Sequence, residues 1–76
     1  MNILEKTFIN KNIRFTVNTL ENENFGFKRI SYSRHAAGCT VQLAKYSKEF
    51  DKMQNITVYS NNNGTVERIE YMSREV

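Results

Sequence analysis

The sequence predicts an α+β fold: a mainly antiparallel sheet of about five strands with one helix packed on one face, in the order β-β-β-α-β-β. Three observations lead to this fold class. Apolar residues recur every three or four positions across residues 34–54, as they do in an amphipathic helix. Apolar and polar residues alternate in several short segments, as they do in half-buried strands. An Asn-Gly pair separates two of those segments, which is a strong hairpin signal.

The first two predicted strands, residues 3–9 and 13–19, are expected to form a hairpin. The second of these segments reads IRFTVNT, in which apolar and polar residues alternate. The residues between them read Asn-Lys-Asn, and asparagine tolerates the left-handed backbone of a tight turn. A polar connection then leads to a third predicted strand at residues 25–32, which carries aromatic or apolar side chains on both faces.

Residues 34–54 are predicted to form the one substantial helix. Their apolar side chains make a single helical stripe: Ala36, Cys39, Leu43, Tyr46, Phe50 and Met53. Ser33 would cap this helix, or Thr40 if the helix begins only after Gly38. An alternative stays open, because the segment Cys39–Tyr46, CTVQLAKY, also half-alternates and could be a strand. The chain would then be an all-β meander or a small barrel.

The last hairpin is predicted together with its register. Residues 56–60 and 65–72 flank Asn63 and Gly64, a pair that suits the positive φ angles of a type I′ turn. This turn pairs Asn62 with Thr65, Val58 with Ile69, and Ile56 with Tyr71. The four apolar residues of the last two pairs then lie on one face. Moving the loop back by one residue would place Val58 opposite a glutamate, so the burial pattern itself selects the register.

Size and composition restrict the classes of protein to which the chain can belong. Its 76 residues suffice for one domain, residues 1–76, near the lower size limit for a self-sufficient core. Cys39 is the only cysteine, which excludes an internal disulfide and a cysteine-based zinc site. No apolar run reaches the roughly 20 residues of a membrane span, and the N-terminus lacks a signal-peptide core. We therefore expect a cytoplasmic protein that does not contact a membrane.

Positive charge is concentrated in the middle of the chain. Residues 25–54 carry six Lys and Arg side chains against two acidic ones. Such a basic region predicts an anionic partner, either nucleic acid or an acidic protein surface, although a solvated face would also carry these charges. The candidate binding residues are the basic side chains of this region with its phenylalanines and histidine: Phe25, Phe27, Lys28, Arg29, Arg34, His35, Lys45, Lys48 and Lys52.

No combination of residues predicts catalysis, a metal site or a cofactor. His35 and Cys39 would lie on one side of the predicted helix, but nothing in the sequence marks a third, orienting group. One histidine and one cysteine do not make a transition-metal site. The sequence also lacks a phosphate loop and a dinucleotide glycine pattern. We therefore expect a binding protein that is not an enzyme.

One short motif, Phe25-Gly26-Phe27, is similar to the Phe/Tyr-Gly-Phe core of the RNP1 strand in cold-shock and RRM domains. In those domains the aromatic side chains stack on bases, so the resemblance implies a stacking role for Phe25 and Phe27. The resemblance covers three residues. Asn24 stands where the motif has glycine, Lys28 stands where it has an apolar residue, and no second aromatic strand motif follows.

Three functions are compatible with these features. Ten asparagines, six lysines, six isoleucines and no Pro or Trp in so short a chain look like the small early proteins of tailed bacteriophages or mobile elements. The first expectation is therefore binding and inhibition of a host protein or complex in the host cytoplasm, such as a nuclease, toxin or defence complex. The second is binding of RNA or single-stranded DNA through the basic region, with Phe25, Phe27 or Tyr32 stacking on bases. The third is self-assembly, for example a homodimer formed at an open sheet edge.

Overall fold

A computed structural model describes residues 3–75 of the chain. Within that range two helices precede four strands: α1 Ile3–Phe8, α2 Ile13–Glu21, β1 Lys28–His35, β2 Gly38–Ser47, β3 Lys52–Ser60 and β4 Val66–Glu75. The strands form one antiparallel sheet in which each strand pairs with the next one in the chain. The predicted α+β class is confirmed. The predicted five strands and one helix are replaced by four strands and two helices.

The N-terminal segments are helical, so the hairpin predicted for residues 3–9 and 13–19 is wrong. α2 begins after Asn12, whose side-chain oxygen accepts hydrogen bonds from the backbone amides of Arg14 and Phe15 at 2.8 and 3.3 Å. The side chain of Phe15 is 55% exposed, although strand alternation would bury it. The buried residues of α2 instead follow the helical period: Thr16, Val17 and Leu20.

The helix predicted for residues 34–54 is also wrong, and the strand alternative for Cys39–Tyr46 is confirmed. β2 is a central strand, so its backbone pairs with β1 on one side and with β3 on the other. Val41 and Leu43 are buried and the intervening Gln42 is exposed, which is the strand period of two. After Ser47, the remaining residues of the predicted helix form the β2–β3 loop and the start of β3, which begins at Lys52. The sheet is a meander, as in the alternative fold, but the domain is not all-β.

The hairpin formed by β3 and β4 has the predicted register along most of its length. Ile56 pairs with Tyr71, and Val58 pairs with Ile69. Next to the turn the register shifts, so that Ser60 pairs with Val66 and the predicted pair of Asn62 and Thr65 is not formed. This irregularity lets Val66 and Ile69 both be buried although they are three residues apart.

The core lies between the helices and one face of the sheet. Its buried residues come from α1, α2, the segment before β1, and strands β2 to β4: Phe8, Val17, Leu20, Phe27, Val41, Leu43, Ile56, Val58, Val66 and Ile69. No described element covers the opposite face, which we call the open face. Among residues 3–75, neither helix has the length or hydrophobicity needed to cross a membrane.

Candidate functional site

A concave surface lies between the start of α2, the edge strand β1 and the loop that joins β3 to β4. This groove has a volume of about 480 Å³. Its polar lining includes three arginines, one tyrosine and three asparagines of the loop: Arg14, Arg29, Arg34, Tyr32 and residues 61–63. None of the described residues that line it is acidic. We call it the arginine groove.

A β-bulge in β1 brings two of these arginines to the same face of the sheet. Side chains alternate along a regular strand, so Arg29 would face away from Tyr32 and Arg34. The register shifts between Arg29 and Ser31, which adds one residue and reverses the alternation. All three groove residues then pair with β2 residues of the helix-covered face: Arg29 with Leu43, Tyr32 with Val41, and Arg34 with Cys39. The bulge is therefore the local feature that assembles this wall of the groove.

The third arginine, Arg14, lies in the first turn of α2. A cation at this position opposes the helix macrodipole, at a cost of about 0.3–1 kcal/mol. The first backbone amides of α2 already have acceptors, because that of Ile13 donates to the Gly64 carbonyl at 2.8 Å and the next two donate to Asn12. The positive charge of the groove therefore comes from arginine side chains and not from free helix amides.

Among the described residues, a carboxylate pairs with only one of the three arginines. Arg29 donates to Glu21 at 3.0 Å. Within residues 3–75 no carboxylate forms an ion pair with Arg14 or Arg34. The groove therefore keeps two positive charges that are not balanced by acidic side chains.

Tyr32 places an accessible aromatic ring on the groove wall. Its side chain is 54% exposed, and its hydroxyl lies 3.5 Å from the Cys39 sulfur. This hydrogen bond with the Cys39 thiol raises the pKa of Tyr32 above 10.0, and the nearby Arg34 opposes the shift to a smaller extent. The hydroxyl is thus held toward the groove floor, while the ring remains open to a ligand.

The loop between β3 and β4 closes one end of the arginine groove. On one side, the Gly64 carbonyl accepts the hydrogen bond from the Ile13 amide at the start of α2. On the other side, the Asn62 side-chain amide donates to the Ala36 carbonyl in the turn after β1, at 2.9 Å. Because the loop is attached to both walls, it forms a barrier across the groove at this end.

Of the candidate residues predicted from the sequence, Arg29 and Arg34 line this groove. Phe27 is only 7% exposed and belongs to the core, and Phe25 packs against that core in the segment before β1. The motif that resembles RNP1 therefore does not present its aromatic rings on an exposed strand. Burial removes Phe27 from any base-stacking surface.

The predicted lysines are distributed over other parts of the molecule. Lys45 donates to the Phe25 carbonyl at 2.8 Å, and its ammonium lies 5.9 Å from the centre of the Phe27 ring. Its role is to hold the α2–β1 connection on the sheet. Lys48 and Lys52 lie in the β2–β3 loop and at the start of β3, at the other end of the sheet.

His35 lies on the open face of the sheet, on the side opposite to Cys39. His35 pairs with Gly38, whereas Cys39 pairs with the neighbouring Arg34, and adjacent pairs in a ladder point to opposite faces. The imidazole Nε2 lies 2.9 Å from the Thr40 hydroxyl. The expected helical arrangement of His35 and Cys39 on one side is therefore wrong, because both residues belong to strands.

The sequence interpretation missed Arg14 and the asparagine loop as members of this site. Arg14 belongs to the N-terminal third of the chain, where acidic and basic residues balance. A usable signal was present: Asn12 is a favourable helix cap, and it precedes apolar residues at helical spacing. Recognition of α2 would have placed Arg14 in a first helical turn. No comparable signal marks the bulge at Ile30.

The open face of the sheet forms a second accessible surface. Three apolar side chains on it are largely exposed: Ile30, Tyr46 and Met72 at 60%, 48% and 64%. Its charged residues are mainly basic, since Arg68 and Arg74 accompany Lys28 there and Glu70 is the acid paired with Arg68 at 3.2 Å. The Arg68 guanidinium also stacks 4.1 Å from the centre of the Tyr59 ring. This face therefore combines exposed apolar side chains with mainly basic charged residues.

No protein-family model matches this chain, and neither a curated protein nor a solved structure matches it.

Proposed function

We propose that the protein is a non-enzymatic binding protein that holds single-stranded nucleic acid, RNA or DNA, in the arginine groove. One observation carries the proposal: Arg14, Arg29, Arg34 and the exposed ring of Tyr32 line a single groove that has no acidic residue among its described lining. Guanidinium groups bind phosphate oxygens in a bidentate manner. An accessible tyrosine can stack on a base, which contributes about 1–3 kcal/mol per base.

The shape of the groove favours a single strand over a duplex. Proteins that read duplex DNA insert a protruding helix or a pair of strands into a groove of the nucleic acid. Here the basic side chains line a concavity, and the aromatic ring lies on its wall. Such an arrangement suits an unstacked base whose edges are free, because the side-chain amide of Asn63 can both donate and accept hydrogen bonds.

The test is a binding titration with labelled RNA and single-stranded DNA of about 12 nucleotides, within the usual site sizes for such proteins. Fluorescence anisotropy is measured between about 50 and 200 mM salt for the wild type and for the double variant Arg14→Gln, Arg34→Gln. We expect the variant to bind at least about tenfold more weakly and to lose about one unit of the salt slope for each phosphate contact removed. The cytoplasm is the proposed site of action.

The matched control is the double variant Lys48→Gln, Lys52→Gln. It removes the same charge from the opposite end of the sheet, where no groove residue lies. Circular dichroism verifies that both variants are folded. Equal losses in the two variants would assign binding to net charge alone, and unchanged affinity in the groove variant would reject the proposal.

A second candidate function is inhibition of a host protein or complex, such as a nuclease, toxin or defence complex, by docking of the open face on an acidic protein surface. The observation that favours it is the group of exposed apolar side chains on that face, Ile30, Tyr46 and Met72, beside mainly basic residues. Protein interfaces combine an apolar centre with a polar rim. Such a complex would be much less sensitive to salt than a complex held by phosphate contacts.

A further inference from the structure

We infer that the arginine groove recognises a phosphate monoester at the end of a nucleic-acid strand, and not an internal segment of the strand. This inference rests on the proposed function and narrows its ligand. Two structural features carry it: the amount of charge that the groove leaves unbalanced, and the loop that closes one end.

The charge of the groove matches a terminal phosphate better than an internal one. Arg29 is neutralised by Glu21, whereas Arg14 and Arg34 have no carboxylate partner in the described part of the chain. An internal phosphodiester carries a single negative charge. A phosphate monoester carries about −1.5 to −2 at pH 7 and offers three acceptor oxygens to the guanidinium donors. Two unbalanced arginines therefore fit the monoester.

The closed end of the groove suits the end of a strand. A continuous strand needs an entrance and an exit, but the loop of residues 61–64 is hydrogen-bonded to α2 on one wall and to the β1–β2 turn on the other. A strand that enters from the open end meets this loop and must stop there. The terminal nucleotide is therefore the part of the strand that lies among the arginines.

The spacing on β1 allows one nucleotide to be held at two points. Tyr32 and Arg34 are two residues apart on the same face, which corresponds to about 7 Å along a strand. Tyr32 can then stack on the terminal base while Arg34 binds the phosphate of the same nucleotide. Arg14 approaches from the opposite wall, so the phosphate lies between two elements.

The test uses one internally labelled RNA of about 12 nucleotides in three forms, with a 5′-phosphate, with a 3′-phosphate, and with hydroxyl groups at both ends. We expect one phosphorylated form to bind at least about tenfold more tightly than the hydroxyl form. The preference should disappear in Arg14→Gln, Arg34→Gln and persist in Lys48→Gln, Lys52→Gln. Arg34→Lys keeps the charge but loses the bidentate donors, so it should retain only part of the preference.

The outcomes separate this inference from the proposed function. Equal, groove-dependent affinity for all three forms would overturn the end-recognition inference and leave nucleic-acid binding in the groove intact. Absence of binding to every form would overturn both. A preference that survives in Arg14→Gln, Arg34→Gln would place the phosphate outside the groove and also overturn the inference.

Competition experiments identify the source of the phosphate. A nucleoside monophosphate should displace the labelled phosphorylated RNA at a much lower concentration than inorganic phosphate does, because it also supplies a base to Tyr32. Equal displacement by the two competitors would contradict recognition of a nucleotide. Displacement by neither, with the preference for a phosphorylated end retained, would support a site that needs the strand as well as its terminal phosphate.

Discussion

The two ends of the sheet consist of the same strands, but they are restrained very differently. At the end beneath the helices, β4 buries Val66 and Ile69, and the β3–β4 loop is hydrogen-bonded to α2. At the end formed by the β2–β3 loop, several large apolar side chains are exposed: Tyr46, Phe50, Tyr71 and Met72. All residues of β4 after Ile69 are exposed. β4 therefore belongs to the core in its first part and is exposed to solvent in the rest of its length.

This difference assigns separate roles to the basic residues. Arg14, Arg29 and Arg34 belong to the restrained end, where the surrounding backbone is fixed by hydrogen bonds. Lys48 and Lys52 belong to the exposed end, where a side chain has fewer neighbours to orient it. A site that must hold a ligand in one orientation requires fixed supports. Net charge in the sequence does not distinguish these two environments.

The largest effect is expected from Gly38→Ala at the restrained end. Gly38 has φ +146°, and a Cβ atom there would lie 1.9 Å from the Ser60 carbonyl oxygen. Backbone strain and overpacking together should cost about 3 kcal/mol or more, a large part of the stability of a small domain. Urea unfolding measures the loss. Gly26→Ala is the control, because its φ is also positive, at +74°, but the nearest atom is the flexible Lys45 side chain at 3.6 Å. Equal losses of stability in Gly38→Ala and Gly26→Ala would show that the backbone moves to relieve the clash between the new Cβ atom and Ser60.

The next contrast, of comparable or smaller size, is expected between Leu43→Ala and Phe50→Ala. The helical stripe predicted from the sequence contains both residues, whereas the structure buries Leu43 completely and leaves Phe50 67% exposed. Leu43→Ala should lower the free energy of unfolding by about 2–5 kcal/mol. Phe50→Ala should change it by no more than about 0.5 kcal/mol. Thermal and urea unfolding of both variants provide the comparison. Similar losses of unfolding free energy would show that Phe50 packs in the core.

The smallest effect concerns Tyr46 at the exposed end. Its hydroxyl donates to Asp51 at 2.7 Å, and this hydrogen bond raises the pKa of Tyr46 above 10.0. A raised pKa in the folded state stabilises the fold fully below pH 10, and the contribution is lost as the pH rises through the raised value. Asp51→Asn should return the pKa of Tyr46 toward 10.0, and asparagine tolerates the φ of +51° at this position. NMR titration of the Tyr46 ring measures the shift, and an unchanged pKa would contradict the role of the Asp51 carboxylate.

Local signals in the sequence were sufficient for the hairpin of β3 and β4 and for the α+β class. Alternation on both sides of Asn63 and Gly64 specifies the pairs of Ile56 with Tyr71 and Val58 with Ile69. The same reasoning failed for α2, because the apolar residues of IRFTVNTL fit a strand and a helix equally well. The Asn12 cap decides between them, together with packing of the helix on the sheet.

The remaining features depend on contacts between distant parts of the chain. β2 has a helix-like spacing of apolar residues, but ladders with β1 and β3 satisfy its backbone on both sides. Its strand conformation is therefore decided by its neighbours and not by its own pattern. The arginine groove combines α2, β1 and the β3–β4 loop, and a bulge without a glycine signal aligns Arg29 with Arg34. No segment considered alone contains that site.

The meander connectivity has a consequence for the order of folding. Each strand pairs with its neighbour in the chain, so the hairpins close short loops at a low entropic cost. Packing of α1 against β4 instead joins segments from opposite ends of the sequence, and such distant contacts form more slowly. We expect the strands to associate first and the helices to dock afterwards. Because the arginine groove needs the start of α2 beside the β3–β4 loop, a partly folded or incompletely synthesised chain has no groove, and ligand binding begins only when the whole chain has folded.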